Sequence, residues 1–299
     1  MNDVGLILEG GGSRGVYTAG VLQYLMEENI YFPYVIGVSS GACNGSSYLS
    51  RQLHRNKRVN IDYVDHPDYL SLKNWFTKRQ LFGMDFLFDK IMNHLDPFDY
   101  ETFYQAKEEF VVTATDCMTG EAVYFHKSLY AAEMITLIRA SSSLPLIAPA
   151  IHFHDRVLLD GGITSPIPIE QSMIDGNRKN VVILTKNRGY IRKAEPFYWM
   201  IRRKYRNYPG LIQSIEKRHH IYNDSLQYLY DEEKKGNVFI ICPSEKVNVG
   251  RIEKNKDKLI HLYQQGYKDM KNTVSQLVEF CSQTNPVKHV DENLAICKS

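Results

Sequence analysis

Cysteine is scarce and irregularly placed in this sequence of 299 residues. The five cysteines are widely separated and include no Cys-x-x-Cys pair: Cys43, Cys117, Cys242, Cys281 and Cys297. An odd number without such spacing argues against a disulfide framework and against a cysteine-based zinc site. The sequence therefore favours a reducing compartment.

Long apolar runs are also missing. No stretch approaches the roughly 18 apolar residues that a membrane-spanning helix needs. The first residues, MNDVGLILEGGG, hold only a short apolar run with no basic residues before it, which makes a poor signal peptide. With 43% hydrophobic and 23% charged residues, the chain can bury a sizeable core. We therefore expect a soluble, cytoplasmic protein; the sequence gives no signal for its oligomeric state.

The chain as a whole has no large excess of either charge, but one part of it has an excess of positive charge. The formal net charge is +2, yet residues 186–220 hold ten lysines and arginines against Glu195 and Glu216, a local balance of +8. The stretch RGYIRKAEPFYWMIRRKYRNYPG mixes these cations with aromatic residues, as segments at a membrane surface do. Peripheral contact with the inner face of the membrane and a solvated helical face explain this pattern equally well. No base-reading module accompanies it, so nucleic acid is not expected as a partner.

Strands and helices alternate at the start of the chain. VGLILE (4–9) reads as a buried strand and is followed by glycines and a helical pattern, and YVIGV (34–38) precedes a second helix that begins near Ser40. This alternation indicates βαβ units and a parallel sheet. Later patterns predict a helical stretch over 69–88, a hairpin over 110–116 and 121–125, a strand pair that ends on VLLDGG, strands at 180–185 and 237–242, and a long helix from Lys256.

The second predicted strand ends in Gly37-Val38-Ser39-Ser40-Gly41. Gly-x-Ser-x-Gly is the pattern of a sharp strand-to-helix turn that exposes a serine hydroxyl above a sheet. The turn brings the residues two before and two after the serine so close together that a Cβ does not fit, which Gly37 and Gly41 satisfy. Ser39 is therefore the candidate nucleophile. The alternative is that Ser39 and Ser40 only cap a helix.

The loop GGGSRG (10–15) follows the first strand and matches Gly-x-Gly-x-x-Gly, so a dinucleotide site must be considered. That site also needs an acidic residue at the end of the second strand, where this chain has GVSSG, and the loop lacks a Walker lysine. A non-catalytic nucleotide-binding module remains an alternative on this motif alone. In an acyl-transfer enzyme, the same loop would place backbone N–H groups beside the serine, as an oxyanion hole requires.

A serine nucleophile also needs a base, and Asp160 in VLLDGGI is the better candidate because it ends an apolar strand and precedes two glycines. Taken alone, this motif is more typical of a plain Asp-Gly turn. Asp116, at another strand end, is the rival carboxylate, although its turn DCMTG reads as structural. A Ser-His-Asp esterase or thioesterase is the alternative enzyme, but no histidine of the later chain lies in a convincing catalytic loop: His219, His220, His261 and His289.

Two further histidines raise the question of a metal. His152 and His154 alternate on a predicted strand and could share a metal ion, but no third ligand is evident. We therefore expect neither a metal nor a cofactor.

Four motifs in this order, EGGGSRG, GVSSG, ASSSLPLIAPA and LLDGG, resemble the patatin-like phospholipase family over roughly residues 4–185. The resemblance implies a three-layer α/β/α fold with a central, mostly parallel sheet and a mainly helical C-terminal extension. It implies an enzyme that hydrolyses acyl esters of lipids or phospholipids through a Ser39–Asp160 dyad, without histidine and without a cofactor. The oxyanion-hole loop would be formed by Gly10, Gly11, Gly12 and Arg14.

The resemblance has limits along the chain. Glu9 stands where many members of that family have aspartate, outside the reacting groups, and no motif matches after about residue 190. We expect residues 1–186 to form most of the catalytic core. Residues 187–299 would supply the remaining helices and strand of the core together with the helical extension.

Overall fold

A mixed sheet of eight strands forms the centre of the protein, in a computed structural model that describes residues 3–70, 83–194 and 198–283. The strands are β1 (Val4–Leu8), β2 (Tyr34–Val38), β3 (Glu109–Asp116), β4 (Ala122–His126), β5 (Ile151–Phe153), β6 (Arg156–Asp160), β7 (Lys179–Ile183) and β8 (Val238–Ile241). Their order across the sheet is β5-β6-β3-β2-β1-β7-β8, and β4 also pairs with β3. The neighbouring strands β3, β2, β1, β7 and β8 pair in parallel. The pairs β3–β4, β3–β6 and β5–β6 are antiparallel.

Helices connect these strands. The main ones are α1 (Val16–Glu27), α2 (Ser40–Leu49), α3 (Arg55–Lys57), the π-helical α4 (Phe86–Leu95), α5 (Tyr100–Gln105), α6 (Lys127–Tyr130), α7 (Met134–Ser141), α8 (Ile169–Ile174), α9 (Tyr198–Lys204), α10 (Pro209–Lys234) and α11 (Lys256–Ser282). Short 3₁₀ or π segments lie at Gly12–Gly15, Arg58–Asp62, Ala131–Glu133 and Gly161–Ile163. Of the helical stretch predicted over 69–88, residues 71–82 lie outside the described residues, and α4 begins at Phe86. None of the helices in the described ranges is both long and apolar enough to cross a bilayer.

The central strands are apolar on both faces because helices cover both faces. In β1, Leu6 and Leu8 belong to the core on the side of α1, α2 and α11, whereas Ile7 faces the core that contains residues of α8 and α10. Such strands read as continuous apolar runs, as in other parallel sheets buried on two sides. The arrangement confirms the three-layer α/β/α fold expected from the sequence.

The C-terminal helix α11 packs directly on α1. At the contact, a Cβ on Gly20 would lie 2.0 Å from the backbone oxygen of Tyr263, and a Cβ on Gly266 would lie 2.2 Å from that of Tyr17. Only glycine at both positions allows the two helix backbones to approach this closely. The last helix is thus part of the layer that covers the sheet, not an appendage to it.

Candidate active site

The turn between β2 and α2 holds Ser39 in a conformation that few non-glycine residues adopt. Its backbone angles are φ 54° and ψ −123°, which store strain of about 1–3 kcal/mol. A Cβ on Gly37 would lie 2.7 Å from the Cα of Ala42, and one on Gly41 would lie 2.3 Å from the backbone oxygen of Leu8. The two glycines are therefore required by sterics, as the motif predicts, and Ser39 stands at the carboxyl end of a central strand.

One short segment supports both Ser39 and Asp160. The backbone N–H of Ser39 donates to Oγ of Ser141 at 2.8 Å, and the backbone N–H of Asp160 donates to the backbone oxygen of Ser143 at 2.9 Å. Ser141 and Ser143 are both fully buried at the end of α7. Sequence reasoning noted this ASSSLP segment as a motif but gave its serines no role.

Asp160 ends β6 with its two carboxylate oxygens in different environments. Oδ1 accepts a hydrogen bond from the backbone N–H of Gly162 at 2.8 Å. Oδ2 is buried and accepts none from any residue in the described ranges. A buried polar atom without a partner is rare and calls for an explanation. Arg218 of α10 lies beside this turn, with Nε donating to the backbone oxygen of Gly162 at 2.8 Å.

The glycine loop after β1 lies against the Ser39 turn. Gly10 is so close that a Cβ there would be 3.2 Å from the Cβ of Ser39. The N–H of Gly11 donates to Oγ of Ser40 at 2.9 Å, whereas those of Gly10 and Gly12 have no hydrogen-bond acceptor within the described part of the chain. Gly12 has φ +57°, the left-handed region that favours glycine.

A later loop holds the glycine loop in place. The N–H of Ser13 donates to the backbone oxygen of Arg251 at 2.9 Å, and Nε of Arg14 donates to that of Val249 at 2.8 Å. Burial, and then the charge of Arg251, lower the pKa of Arg14. The Arg14 side chain is therefore directed at the loop that contains residues 249 and 251, a contact that no pattern in the sequence indicates.

Glu9 connects the ends of two strands and a helix. Its Oε2 accepts hydrogen bonds from the N–H and Oγ of Thr185, and its Oε1 accepts one from the hydroxyl of Tyr222 at 2.7 Å. Burial and this carboxylate raise the pKa of Tyr222. Glu9 is fully buried and fully used as a hydrogen-bond acceptor, which agrees with its expected place outside the reacting groups.

Two cavities meet at Ser39. Ser39, Gly12 and Leu144 line both of them. The first encloses about 960 Å³ of space between atoms, open solvent included. Around half of its lining is apolar: Val59, Tyr69, Met84, Leu87, Phe88, Met92, Ile135, Ile138 and Leu144. We call it the apolar cavity.

The second cavity lies on the side of α10 and is polar. Ser39 and Asp160 both line it, together with Gly10, Gly11, Gly12 and Arg14 of the glycine loop. Its other charged residues come from later in the chain: Lys186, Arg192, Arg218 and Arg251, with Glu9 at its wall. Burial, and then the charge of Arg14, lower the pKa of Lys186 to about 7. We call it the cationic cavity.

The rival candidates lie elsewhere. Asp116 accepts hydrogen bonds from Arg156 at 2.7 Å and from the N–H of Met118 at 2.8 Å, so it organises its own turn. The rings of His219 and His220 contact each other at a tilt of 40°, and His261 is exposed near Glu245. His289 is outside the described residues. Of the histidines within the described ranges, none lines either cavity at Ser39.

A metal site has no support in the part of the chain that the structure describes. His152 and His154 are both exposed on and beside β5. No group of three or more potential ligands from histidine, cysteine, aspartate and glutamate occurs among the described residues.

The basic stretch of residues 186–220 divides into parts with different surroundings. Lys186, Arg192 and Arg218 line the cationic cavity, and Arg188 forms an ion pair with Glu233 at 2.7 Å. The basic residues of α9 are instead exposed on the outer surface. Sequence reasoning treated all of these cations as one patch, because nothing local distinguishes an inward from an outward arginine.

Comparison with protein families gives two matches along the chain. A model of the patatin-like phospholipase family matches residues 6–173, which is more than half of the chain. A model of a domain of unknown function (DUF6363) matches residues 208–282. The first match spans β1 to α8 and includes both Ser39 and Asp160; the second spans most of α10, β8 and α11.

Several curated proteins are similar to the first part of the chain. The uncharacterised protein YjjU of Escherichia coli K12 is 27% identical over 187 residues, 61% of this chain and 52% of that protein. An uncharacterised NTE family protein of Mycobacterium tuberculosis H37Rv is 26% identical over 197 residues, 64% of this chain and 52% of that protein. Lysophospholipase NTE1 of Candida albicans is 29% identical over 180 residues, 56% of this chain and 12% of that protein. The chain spans about half the length of the first two relatives.

A solved structure has the same fold over a larger share of the chain. VipD from Legionella pneumophila aligns with a TM-score of 0.57 at 12% sequence identity, covering 92% of this chain and 67% of that one. At this identity the likeness concerns the fold alone.

Proposed function

Because the chain belongs to the patatin-like phospholipase family, we propose that it is a serine hydrolase that cleaves acyl esters of lipids, with Ser39 as nucleophile and Asp160 as base. The observation that carries the proposal is the buried Oδ2 of Asp160, which has no hydrogen-bond partner among the described residues and belongs to a side chain that lines the same cavity as Ser39. A general base needs such an uncommitted acceptor.

The mechanism follows from these positions. Oγ of Ser39 attacks the ester carbonyl, and Asp160 accepts the hydroxyl proton as the tetrahedral intermediate forms. The N–H groups of Gly10 and Gly12, which have no acceptor among the described residues, stabilise the oxyanion, while the N–H of Gly11 donates to Ser40. Asp160 then returns the proton to the leaving alkoxide. Water attacks the acyl-enzyme with Asp160 again as base, which releases the fatty acid and restores Ser39.

The two cavities support a lipid substrate. The acyl chain of the ester would lie in the apolar cavity. There it would remove the apolar side chains of the lining from water, which favours binding. The alcohol part of the ester would then lie in the cationic cavity. Lysophospholipase, the activity in the name of the Candida albicans relative, is a reaction of this kind.

Two alternative functions receive less support. For a Ser-His-Asp esterase, none of the histidines in the described ranges lines a cavity at Ser39. For a nucleotide-binding module, the N–H of Ser13 would have to face a phosphate, but it donates to the backbone of Arg251.

The contact between α10 and the Asp160 turn also supports a catalytic core that includes residues beyond 186.

Substitution of the dyad tests the proposal. Ser39→Ala and Asp160→Asn should each lower kcat/KM for a monomeric acyl ester by about 10³-fold or more, because the nucleophile or its base is lost. Asp116→Asn is the matched control: it removes the charge of another buried strand-end aspartate and should leave kcat/KM within a few-fold of the original. Turnover at the original rate in a folded Ser39→Ala or Asp160→Asn protein would refute the assignment.

We also propose that the surface around α9 contacts a lipid membrane. Ile191 and Trp199 are 72% and 65% exposed, and Arg202 and Arg203 of α9 are exposed beside them in sequence. Apolar and aromatic side chains insert at the interface, and each cation near an anionic surface adds about 1 kcal/mol. Tyr190 and Arg192 extend this surface to the cationic cavity.

Vesicle flotation tests the membrane contact. The protein should float with vesicles that contain anionic phosphatidylglycerol, and Ile191→Ser with Trp199→Ser should abolish flotation. Ile174→Ser is the matched control. Ile174 is also highly exposed, at 76%, but it belongs to α8 and not to the segment around α9. Equal loss of flotation in the control, or none in the double variant, would contradict the proposal.

A further inference from the structure

The apolar cavity has a polar end away from the nucleophile. Ser40, Cys43 and Ser47 of α2 all line it, and their spacing of three and four residues puts them on one face of the helix. Ser47 follows Ser39 by about two helical turns, which is about 12 Å along the helix. Arg55 also lines the cavity, and its Nη1 donates to Oγ of Ser47 at 3.2 Å. The guanidinium of Arg55 therefore lies at the end of α2 that is remote from Ser39.

Arg55 is a buried cation whose charge is only partly compensated. The residue is 5% exposed, and no carboxylate in the described ranges lies within ion-pair distance of it. The carboxylate of Asp96 is held by Arg58, whose Nε and Nη2 donate to its two oxygens at 2.8 and 3.0 Å. Burial lowers the pKa of Arg55, although the charge of Asp96 opposes this shift. A buried charge without a close partner is unfavourable in a protein interior.

The same side chain has hydrogen-bond donors that the protein does not use. Nη2 donates only to the backbone oxygen of Asp96, at 3.3 Å, and Nε is buried without a partner in the described part of the chain. The hydroxyl of Ser47 accepts from Arg55 but donates to none of the described residues. Buried donors are rarely left unpaired, because each one has lost its hydrogen bonds to water. Arg55 and Ser47 together therefore present a site for an acceptor.

The rest of the lining limits what can reach this site. Helices α4 and α7 contribute apolar side chains to the same cavity: Leu87, Phe88, Met92, Ile135 and Ile138. A ligand that extends from Ser39 to Arg55 must therefore have a hydrocarbon body. At its far end, a carboxylate would accept charge-assisted hydrogen bonds from the guanidinium, whereas a methyl group would leave the donors unpaired.

We infer that the apolar cavity accepts an acyl chain that ends in a carboxylate about ten carbons from the ester, and that Arg55 and Ser47 bind this carboxylate. The length follows from the distance of about 12 Å, because an extended chain with C–C bonds of about 1.5 Å at tetrahedral angles advances about 1.25 Å per carbon. The inference rests on the proposed function, since it requires the ester to lie at Ser39. It concerns the acyl group alone and makes no demand on the alcohol.

Matched pairs of 4-nitrophenyl esters test the inference. Each pair combines a plain acyl ester with the ω-carboxyacyl ester of the same length, at eight, ten and twelve carbons, both kept monomeric. The original protein should hydrolyse the carboxyacyl ester with the higher kcat/KM, most strongly near ten carbons. Arg55→Met should lower the ratio of the two kcat/KM values by about 10- to 100-fold, as for the loss of a charge-assisted hydrogen bond. Arg55→Lys should lower it less, because it retains the charge without the planar fork.

Arg51→Met is the control for the removal of a cation. Arg51 belongs to the same segment after α2, forms an ion pair with Glu108 and lines neither cavity at Ser39. Its replacement should leave the ratio within a few-fold of the original. Arg55→Met should itself fold, because an apolar side chain can replace a buried charge that has no close partner.

A binding measurement separates failure of the subsite from failure of the proposed function. In calorimetry with the Ser39→Ala protein, decanedioate should bind more tightly than decanoate, and the added Arg55→Met substitution should remove the difference. This result without hydrolysis of any ester would support the subsite and refute the hydrolase. Hydrolysis without a preference for carboxyacyl esters at any length, together with equal binding of the two acids, would overturn the subsite and leave the hydrolase intact. A preference that Arg55→Met does not reduce would also overturn it.

Discussion

At the scale of single residues, the strained backbone of Ser39 depends on one neighbouring hydroxyl. Ser141→Ala removes the acceptor of the Ser39 N–H and leaves that buried donor without a partner, which costs about 1–3 kcal/mol. We expect a lower melting temperature and a fall in kcat with little change in KM. Ser142→Ala is the control, because the nearest partner of Oγ of Ser142 is the Cys43 thiol at 3.4 Å. Equal behaviour of the two variants in calorimetry and kinetics would contradict a positioning role for Ser141.

Lys186 gives a pH dependence that can be predicted in sign. Its folded pKa of about 7 lies below the ordinary 10.5, so between these values the unfolded chain binds more protons than the folded one. The free energy of unfolding should therefore rise with pH across this window. Below pH 7, where Lys186 is charged in the folded protein, burial of that charge lowers the free energy of unfolding by its full amount. The groups around Lys186 are the cations of Arg14, Arg192 and Arg251 and the carboxylate of Glu9.

Lys186→Met should remove that cost. In phosphate-free buffer, we expect the variant to melt at a higher temperature than the original protein at pH 6, with a difference that shrinks toward pH 10. A melting temperature lowered by Lys186→Met at pH 6 would show that the ammonium group stabilises the fold, contrary to the lowered pKa of Lys186.

At the scale of elements, the close contact between α2 and the end of β1 fixes the position of the serine turn relative to the sheet. Gly41→Ala would place a Cβ 2.3 Å from the backbone oxygen of Leu8 and 2.9 Å from that of Glu9, and neither backbone can move independently of the sheet. We expect a loss of about 1–3 kcal/mol or more in the free energy of unfolding. Ser46→Ala on the same helix should cost about 1 kcal/mol or less, because its Oγ only donates to the backbone of Cys43. Urea denaturation of both variants measures the difference.

Elements are also the scale at which the sequence was most informative. The strands β1, β2, β3, β7 and β8 and the helix α11 were predicted because each has a local apolar pattern, and the serine turn because only two glycines permit it. The partners of that turn could not be predicted. Ser141 binds the serine turn, Arg218 the Asp160 turn and Arg251 the glycine loop, and they lie 102, 179 and 212 residues beyond Ser39 in the chain. No local pattern specifies contacts at such separations.

At the scale of the whole molecule, the later part of the chain completes the layers that begin with the first. Helix α11 covers α1 through the Gly20 and Gly266 contact, and α10 contributes Tyr222 to the core on the other face of the sheet. A fragment of residues 1–186 would expose both surfaces and leave β7 without β8. We expect this fragment to show no cooperative thermal transition, whereas a chain that ends at Gln283 should melt in one transition. A fragment that melts cooperatively would contradict this view of the fold.

The central claim is that Ser39 is the nucleophile of an acyl hydrolase, and covalent labelling tests it most directly. A fluorophosphonate reacts with a serine hydroxyl that a neighbouring base activates, and peptide mapping then identifies the modified residue. We predict an adduct on Ser39 of the original protein and a much slower reaction in the Asp160→Asn variant. A folded protein that remains unmodified, or that carries the adduct on another serine, would contradict the account.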